Sequence, residues 1–492
     1  MLIRCELLVR PEGMTQAIGA MSSCSEFEHA DLKDARLTAR LCRVVQALSV
    51  NPAASFPKAM PSEAELEGFY RLVRNDKVNF DNVVAPHVDA TVQRASAHDA
   101  VLVAHDTTEF RFKGETERAG LGRVGQSGQG FFGHLSLVLA GDGSREPLGV
   151  VATQTWTRKG KSVTQRRYDG ELKNQQARTA PGRESKRWAK GVEMAEAAVA
   201  GRTQLIHVMD SEGDNYELMT ALVRKQRRFV IRLGQDRLVE GVEGKQKVSK
   251  FLASAAVAAQ RRVSVSRRAA SVSSHKGRRR APRPEREASL AIHASALVVC
   301  RPKNESRRTI PKTLPMNVVY VRELEPPEGQ EPIDWTLVTS EPVDSEEQVL
   351  RVVDHYRARW VIEEYFKALK TGCSFEKRQL ESCATLHVAL GIFVPLAWNL
   401  LRLRFLSRAA PDAPAATVLT ATQLVVLRAH PHVKLTDEPT VREALLAVAK
   451  LGGHIRNNGD PGWLVLGRGY DELLTLEVGF CLASAQPECS VV

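Results

Sequence analysis

The residues best placed to do chemistry lie in the string YRARWVIEEYFKALK, at the spacing Y-x2-R-x3-E-x6-K. They are Tyr356, Arg359, Glu363 and Lys370. The string contains no Gly or Pro and predicts a helix, on which the four side chains would span an arc of about 60°. One carboxylate that suits a divalent metal would then stand beside donors that suit phosphate oxygens. This indicates nucleic-acid phosphodiester chemistry, although a solvated helix with ordinary ion pairs would use the same residue types.

Two aspartates are predicted to end apolar strands. Asp106 follows the apolar run 100–104, and Asp210 follows the run 204–209. Ligands gather at the carboxyl ends of neighbouring strands in open α/β sheets, and Glu363 could join the two aspartates from its helix. Three such carboxylates repel one another unless cations lie between them, and hard oxygen ligands favour Mg²⁺ or Mn²⁺. For either aspartate alone, a turn or a helix cap is the more common explanation.

The N-terminal part of the chain, residues 1–95, is predicted to be a small helical domain. Its first helix is expected to begin at the cap Asp31 and to end near Leu48. Arg36 and Arg40 lie on a stripe about 100° from the apolar side of this helix. The helix would therefore bury one side and present cations on another.

The rest of the chain divides by its patterning. Residues 96–385 alternate strands and helices, as is typical of a mixed α/β domain, with a β-rich stretch at about 235–345. That stretch holds a basic segment that is either a mobile loop or a grip on a DNA backbone. Its residues are Arg267, Arg268, Lys276, Arg278, Arg279, Arg280, Arg283 and Arg286. Residues 386–492 read as helical, and suit a docking or dimer module.

Composition narrows the function further. The 492 residues are 43% hydrophobic and carry a formal net charge of +12, which favours a polyanionic partner. Eight cysteines show no zinc spacing, and no signal peptide or membrane span is expected, so a cytoplasmic protein is predicted. The glycine-rich segment 122–130 lacks the Lys-Ser/Thr of a phosphate loop, which predicts a flexible loop and no nucleotide cofactor.

Several motifs together resemble one family. HDTTEF around Asp106, HVMDSEGDNYELM around Asp210 and the Y-x2-R-x3-E-x6-K string resemble the DDE transposases of bacterial insertion sequences, in the insertion-sequence-four and transposon-five branch. ARLTARL and GFYRLVRN are similar to the N-terminal DNA-binding domain of that branch, DWTLVTSEPV to its β-insertion, and LGGHIRNNGDPGW to its C-terminal domain. Each motif alone is weak, whereas their order and spacing are specific.

The resemblance implies a fold and a metal site. The expected fold is an α/β RNase H-like catalytic core with a β-rich insertion, flanked by an N-terminal helical DNA-binding domain and a C-terminal helical dimerisation domain. Asp106, Asp210 and Glu363 would be both the catalytic and the metal-binding residues, with two Mg²⁺ per active site and Mn²⁺ as a substitute. Two such ions support in-line phosphodiester cleavage without a covalent intermediate.

The resemblance also implies roles in DNA binding. The residues expected to bind phosphates of the DNA strand that is not transferred are Arg232, Tyr356, Arg359 and Lys370. Trp335 would stack on a flipped base, although without the resemblance it reads as a core strand residue. The residues that match the end-recognition domain are Arg36, Arg40 and Arg71.

The resulting hypothesis is a cut-and-paste transposase that binds terminal inverted repeats, pairs two ends in a homodimer and joins 3′-hydroxyls to target DNA. Release of the element through DNA hairpins is the expected route. Two alternatives remain: a catalytically silent DNA-binding regulator, and a metal-dependent nuclease that cuts without joining. The chain departs from the family in its extra residues before Ser25 and in reading SEGD after Asp210, where a more basic pattern is expected.

Overall fold

The computed structural model describes most of the chain. The described residues are 26–50, 53–114, 116–125, 128–158, 183–241, 244–265, 271–272, 279–280, 282–303, 305, 307, 309–455 and 460–484. Within them, one mixed 12-stranded sheet carries helices on both faces.

Between residues 26 and 95, the described part of the N-terminal region contains four helices. They are α1 (Ala35–Val50), α2 (Phe56–Ala59), α3 (Glu63–Val73) and α4 (Phe80–Ala95). The expectation that Asp31 caps the first helix was wrong, because Asp34 directly precedes α1 and accepts from Arg36 N at 2.9 Å. Ser62 does cap α3, by accepting from Glu65 N at 3.3 Å.

The strands follow one another with few helical interruptions. They are β1 (Ala100–Phe112), β2 (Gly122–Val124), β3 (Gly128–Ala140), β4 (Pro147–Trp156), β5 (Gln204–Met209), β6 (Arg228–Arg232), β7 (Leu238–Gly241), β8 (Gly244–Lys247), β9 (Val257–Val265), β10 (Ser271–Val272), β11 (Arg279–Arg280), β12 (Arg286–Cys300), β13 (Thr313–Leu324) and β14 (Asp334–Thr339). Their order across the large sheet is β2-β3-β1-β5-β6-β14-β13-β12-β7-β8, with β4 on β3 and β9 on β12. β1, β5 and β6 are parallel, whereas β3 pairs antiparallel with β1 and β14 pairs antiparallel with β6.

The remaining helices cover the sheet and form the C-terminal region. They are α5 (Arg187–Val199), α6 (Tyr216–Arg224), α7 (Val248–Ala253), α8 (Glu346–Ala358), α9 (Trp360–Lys367), α10 (Cys383–Ala409), α11 (Ala421–Ala429), α12 (Val441–Leu451) and α13 (Trp463–Ser484). Successive β1 residues point to opposite faces. Val101 and Val103 join the core cluster that contains α5 residues, while Leu102 and Ala104 join the one that contains α8 to α10 residues.

The β-rich stretch extends the large sheet directly. β14 pairs with β6, and β13 and β12 follow outward. Of the basic segment predicted here, residues 267, 268, 276 and 278 lie outside the described residues. Arg286 forms a two-point ion pair with Glu323, and Arg283 is buried. These two arginines are therefore packed into the protein and do not form an open grip on DNA.

Two further expectations needed correction. The glycine-rich segment predicted as a flexible loop contributes β2 and the start of β3, where a Cβ on Gly130 would lie 1.8 Å from the Phe110 carbonyl oxygen. The residue pattern predicts a last helix near 470–483, but that helix begins at Trp463. The pattern Thr440-x-x-Glu443 predicts a capping box, and this box is present at the start of α12.

One described helix, α10, is long and apolar enough to cross a bilayer. Most of its apolar stretch is buried inside the protein, and the indole N–H of its Trp398 donates to the Pro147 carbonyl at 2.8 Å. A core helix of a soluble protein has the same properties, so α10 gives only weak support for a membrane span.

Candidate active site

Parallel pairing places the two predicted aspartates in one row of the sheet. The pairing of β1 with β5 ends at His105 opposite Met209, so the next residues, Asp106 and Asp210, are neighbours across strands spaced about 4.8 Å apart. The pairing of β5 with β6 ends in the same way and adds Arg232 to the row. Sequence-distant residues thus meet because the parallel pairing of three strands stops at the same row.

The predicted strand end at Asp106 was wrong, whereas the one at Asp210 was right. β1 runs past Asp106 to Phe112, because β3 continues to pair with it antiparallel after the parallel partner has ended. Asp210 ends β5, and its Oδ1 accepts from Glu212 N at 2.8 Å, capping a short 3₁₀ turn. The helix-cap reading of Asp210 therefore holds together with its place in the row.

The signature string was predicted as one helix and forms three segments. Tyr356 belongs to α8, Arg359 lies between α8 and α9, and Glu363 belongs to α9. Lys370 lies in a π-helical turn over Ala368–Gly372, which shifts it from the position that a regular α-helix would give. Such turns occur often at functional sites.

Arg359 connects the sheet to the signature helices. One guanidinium nitrogen donates to Asp106 Oδ2 at 2.8 Å, and another donates to Glu363 Oε1 at 2.9 Å. Burial alone would lower the pKa of Arg359, but Asp106, Tyr356 and Glu363 outweigh it and raise that pKa. The guanidinium is therefore a permanent cation between two of the predicted metal ligands.

Asp106 shows the electrostatic strain of this arrangement. Burial raises its pKa to about 7, Arg359 opposes the shift, and the charges of Asp210 and Glu363 add to it. The charges of Asp210 and Glu363 therefore reach Asp106, and Arg359 only partly offsets the effect of burial on it.

The donor set suits a hard divalent cation. Asp106, Asp210 and Glu363 supply only carboxylate oxygens, which Mg²⁺ and Mn²⁺ prefer. Across the described part of the chain, no group of three or more His, Cys, Asp or Glu side chains forms a ready-made metal site. At the row, the Arg359 guanidinium lies between Asp106 and Glu363 and pairs with both.

The other predicted phosphate-binding residues lie beside the row. Burial raises the pKa of Tyr356, and the neighbouring cations Arg359 and Arg232 oppose that rise. Lys370 Nζ donates to the carbonyl of Glu109, on the continuation of β1 beyond Asp106, and burial lowers the pKa of Lys370. The structure thus gathers all four signature residues around the row.

Trp335 is placed near the site but is not exposed. Trp335 is 5% exposed, and its ring packs edge-on against Tyr356, with ring centroids 5.4 Å apart. In this structure the ring offers no open face to a base, so the stacking role stays a prediction.

The predicted end-recognition arginines lie on α1 and α3. Arg36 is almost fully exposed, and Arg71 is exposed and paired with Glu67. Arg40 crosses α3 so closely that a Cβ on Gly68 would lie 1.5 Å from its guanidinium nitrogen. Arg40 is therefore partly held by the protein, whereas Arg36 extends into solvent.

Sequence reasoning missed Arg187, whose guanidinium reaches Thr107 and Glu212 beside the aspartates. One signal was present. Arg187 and Lys186 place two cations where α5 begins, although a helix N-terminus favours negative charge. Residues that break a local rule in this way are often functional.

Comparison with known families now adds to this geometry. Residues 23–78 match the family of transposase DNA-binding domains, and residues 174–400 match the transposase DDE domain. This enzyme is a DDE transposase. DDE transposases depend on divalent metal ions, and the DNA-binding match makes DNA a partner of this one.

Among solved structures, one transposase complex is distantly similar to this chain. The cryo-EM structure of the piggyBac transposase synaptic complex with hairpin DNA has a TM-score of 0.37 and 9% identity, and the alignment covers 78% of this chain and 72% of that chain. A likeness at that level supports no conclusion about fold or function.

Proposed function

We propose that this DDE transposase moves DNA by cut-and-paste, as a member of the insertion-sequence-four and transposon-five branch. The observation that carries the proposal is the row of Asp106 and Asp210, joined to Glu363 through Arg359, in a chain that also matches a transposase DNA-binding domain. The Y-x2-R-x3-E-x6-K residues around that row support the branch assignment.

We propose three domains with the boundaries expected from the sequence. Residues 1–95 would bind transposon ends, residues 96–385 would form an RNase H-like catalytic domain, and residues 386–492 would pair two copies. Parallel β1, β5 and β6 beside the antiparallel β3–β4 hairpin, with helices on both faces, support the catalytic assignment. We place the enzyme in the cytoplasm, on chromosomal DNA when bound.

In the proposed reaction, Asp106, Asp210 and Glu363 hold the catalytic metal ions, which we take to be two Mg²⁺. When bound, such ions activate the attacking water or 3′-hydroxyl and stabilise the leaving oxygen. Arg359 would exchange its carboxylate partners for a DNA phosphate. We propose a hairpin at the element end as the intermediate and a homodimer as the active form.

The phosphate contacts follow from the positions of the cations. Arg232 stands in the row itself, and Lys370 stands beside the continuation of β1, so a DNA strand laid along the row would meet both. Phosphate contacts of this kind fix the register of the DNA without reading its sequence. Exposed Arg36 on α1, with Arg71 on α3, would bind the end DNA farther from the cleavage site.

One experiment separates this proposal from its two alternatives. Purified enzyme is incubated with pre-cut DNA carrying the terminal sequences that flank its gene, with supercoiled plasmid and with Mg²⁺. Strand-transfer products support the transposase, nicking alone supports a nuclease, and a mobility shift without cleavage supports a silent regulator. Asp210→Ala should abolish chemistry and retain end binding, and loss of end binding in that variant would count against the assignment.

A further inference from the structure

Arg187 is a mostly buried arginine beside the catalytic row that the sequence signature leaves without a role. It is the first residue of α5, and its side chain is 14% exposed. Nε donates to Thr107 Oγ1 at 2.8 Å, and one guanidinium nitrogen donates to Glu212 Oε2 at 2.6 Å. The other donates to the Glu184 carbonyl at 2.9 Å. The planar group is thus held on three sides by protein acceptors.

The two side chains that Arg187 holds belong to the residues whose backbone fixes the aspartates. Thr107 N donates to Asp106 Oδ1 at 2.7 Å, and Glu212 N donates to Asp210 Oδ1 at 2.8 Å. Thr107 lies on β1, whereas Glu212 lies in the turn that follows β5. Arg187 therefore connects Thr107, which hydrogen-bonds Asp106, to Glu212, which hydrogen-bonds Asp210, although the two pairs lie in separate segments of the chain.

We propose that Arg187 is a positioning residue that sets the separation and orientation of Asp106 relative to Asp210. This inference rests on the proposed function, in which the two aspartates bind metal ions together. A guanidinium suits the task because its donors lie in a fixed plane. Mutation of outer residues that orient metal ligands typically lowers metal affinity or activity by about 10- to 100-fold.

The packing of α5 keeps this link short. One helical turn after Arg187, Gly191 lies against the sheet, where a Cβ would be 3.0 Å from His134 Nε2 and 3.2 Å from His105 Nδ1. Thr107 Oγ1 is also within 2.9 Å of His134 Nδ1. The missing side chain at Gly191 therefore lets the start of α5 approach the strand that carries Asp106.

The cost of this placement also indicates a specific role. Burial lowers the pKa of Arg187, while Glu212 and Glu184 counteract it, and the charge of Asp210 acts in the same direction as theirs. The helix dipole disfavours a cation at the first position of α5. A neutral residue would avoid both penalties but could not link Thr107 to Glu212.

The test compares Arg187→Gln, Arg187→Lys and Glu212→Gln with the control Arg158→Gln. Arg158 lies near the start of α5 and forms its own two-point ion pair with Glu184, at 2.6 Å for each contact, without touching Thr107 or Glu212. Mn²⁺ binding is followed by electron paramagnetic resonance with and without end DNA, using Asp106→Ala as the blank. End binding, KM and kcat for strand transfer are measured on the same proteins.

We expect Arg187→Gln to weaken Mn²⁺ binding by about tenfold or more and to lower kcat, with KM and end-DNA affinity nearly unchanged. Arg187→Lys should restore only part of the loss, because one ammonium cannot hold two separated acceptors in a fixed plane. Glu212→Gln should show a smaller loss in the same direction. A double variant that combines Arg187→Gln with Glu212→Gln should lose less Mn²⁺ affinity than the product of the two single losses, because both changes break one link. Arg158→Gln should match the wild type.

Two results would overturn the inference. Unchanged Mn²⁺ affinity with weaker end binding in Arg187→Gln would make Arg187 a phosphate contact, and multiplicative losses in the double variant would show that Arg187 and Glu212 act separately. If Arg187→Gln does not fold, the test uses Glu212→Gln, because Glu212 is exposed and its substitution should not disturb folding. Wild-type Mn²⁺ affinity in Glu212→Gln would then show that the link between Arg187 and Glu212 does not position the aspartates. Failure of the proposed function is distinguishable, since the wild type would then bind Mn²⁺ no better than Asp106→Ala.

Discussion

At the scale of single residues, the main feature is the buried guanidinium of Arg359 between two carboxylates. Arg359 is 8% exposed and contacts Asp106 and Glu363 at once. A buried ion pair stabilises little by itself, but removal of one partner leaves an uncompensated charge. Arg359 therefore compensates the charges of Asp106 and Glu363 in the folded protein.

The substitution Arg359→Gln tests this charge compensation. Without metal, the variant should lose about 2 to 4 kcal/mol of unfolding free energy, because Asp106 and Glu363 lose their common counter-ion. Added Mg²⁺ should raise its melting temperature more than that of the wild type, since the ions no longer compete with a guanidinium. Differential scanning fluorimetry checks both effects, with exposed Arg351→Gln as control. Equal Mg²⁺ responses in variant and wild type would contradict the competition.

The pKa of Asp106 predicts a pH dependence of defined sign. Its folded pKa of about 7 lies above the ordinary value of 3.8, so the folded protein holds a proton that the unfolded chain has lost between these values. This contribution to stability is complete below pH 3.8 and is lost as the pH rises to about 7, by at most about 4 kcal/mol.

Urea unfolding of wild type and Asp106→Asn without metal isolates this contribution. The difference in unfolding free energy should fall from acidic pH towards neutral pH and then level off. Mg²⁺ affinity should rise over the same interval, because the ion competes with the proton. A difference that does not change with pH would show that Asp106 titrates normally.

At the scale of elements, the signature helices are fastened to the C-terminal region beside Glu363. Trp463, the first residue of α13, donates its indole N–H to Glu364 Oε2 at 3.0 Å. Lys367 Nζ donates to Glu364 Oε1 at 2.9 Å, and Arg404 stacks over the Trp463 ring at 4.4 Å. Burial would raise the pKa of Glu364, but these donors lower it.

Glu364→Ala should therefore destabilise the protein by about 1 to 3 kcal/mol, because the buried Trp463 N–H loses its acceptor. Glu347→Ala is a matched control, since Glu347 pairs with Arg351 on α8 and is 81% exposed. The control should stay within about 0.5 kcal/mol. Chemical denaturation measures both variants, and equal losses would mean that the Trp463 contact contributes nothing.

The elements also show what the sequence could predict. The helical character of residues 26–95 was predicted because helical periodicity and cap residues are local signals. The extension of β1 beyond Asp106 could not be read from its residues, because pairing with β3 decides it. The break at Arg359 and the π turn around Lys370 likewise carry no local signal.

In the candidate site, too, local features were predictable from the sequence and tertiary contacts were not. The acids and bases were identifiable by type and spacing, and the structure brings Asp106, Asp210 and Glu363 into one neighbourhood. The contacts of Arg359 and Arg187 could not be predicted, because they depend on tertiary distances between segments far apart in sequence. Trp335 is buried, as its alternative reading of a core strand residue predicts, and its stacking on a base stays a prediction.

At the scale of the whole molecule, a buried polar cluster joins the N-terminal helices to the catalytic sheet. Glu26 is fully buried and contacts His87 Nδ1 at 2.5 Å and a guanidinium nitrogen of Arg94 at 2.7 Å. Arg94 also donates to the Leu148 carbonyl and lies 4.1 Å from the Trp398 ring. The N-terminal region is thus fixed to β4 and α10.

Glu26→Ala should lower the unfolding free energy by about 3 to 5 kcal/mol, because it leaves Arg94 buried without its carboxylate. Asp31→Ala, which removes an exposed partner of Lys33, should leave the unfolding free energy nearly unchanged. Urea denaturation at neutral pH compares the two. A small loss for Glu26→Ala would show that the N-terminal region is held by apolar packing alone.

The continuity of the large sheet limits how the enzyme can be shortened. β14 supplies the hydrogen-bonding partners of β6, the strand that ends at Arg232. Excising the β-rich stretch would bare the backbone of β6, and such an edge invites pairing with other chains and aggregation. An engineer seeking a smaller genome-insertion tool would therefore do better to trim the outer strands β7 and β8 than to delete the whole stretch.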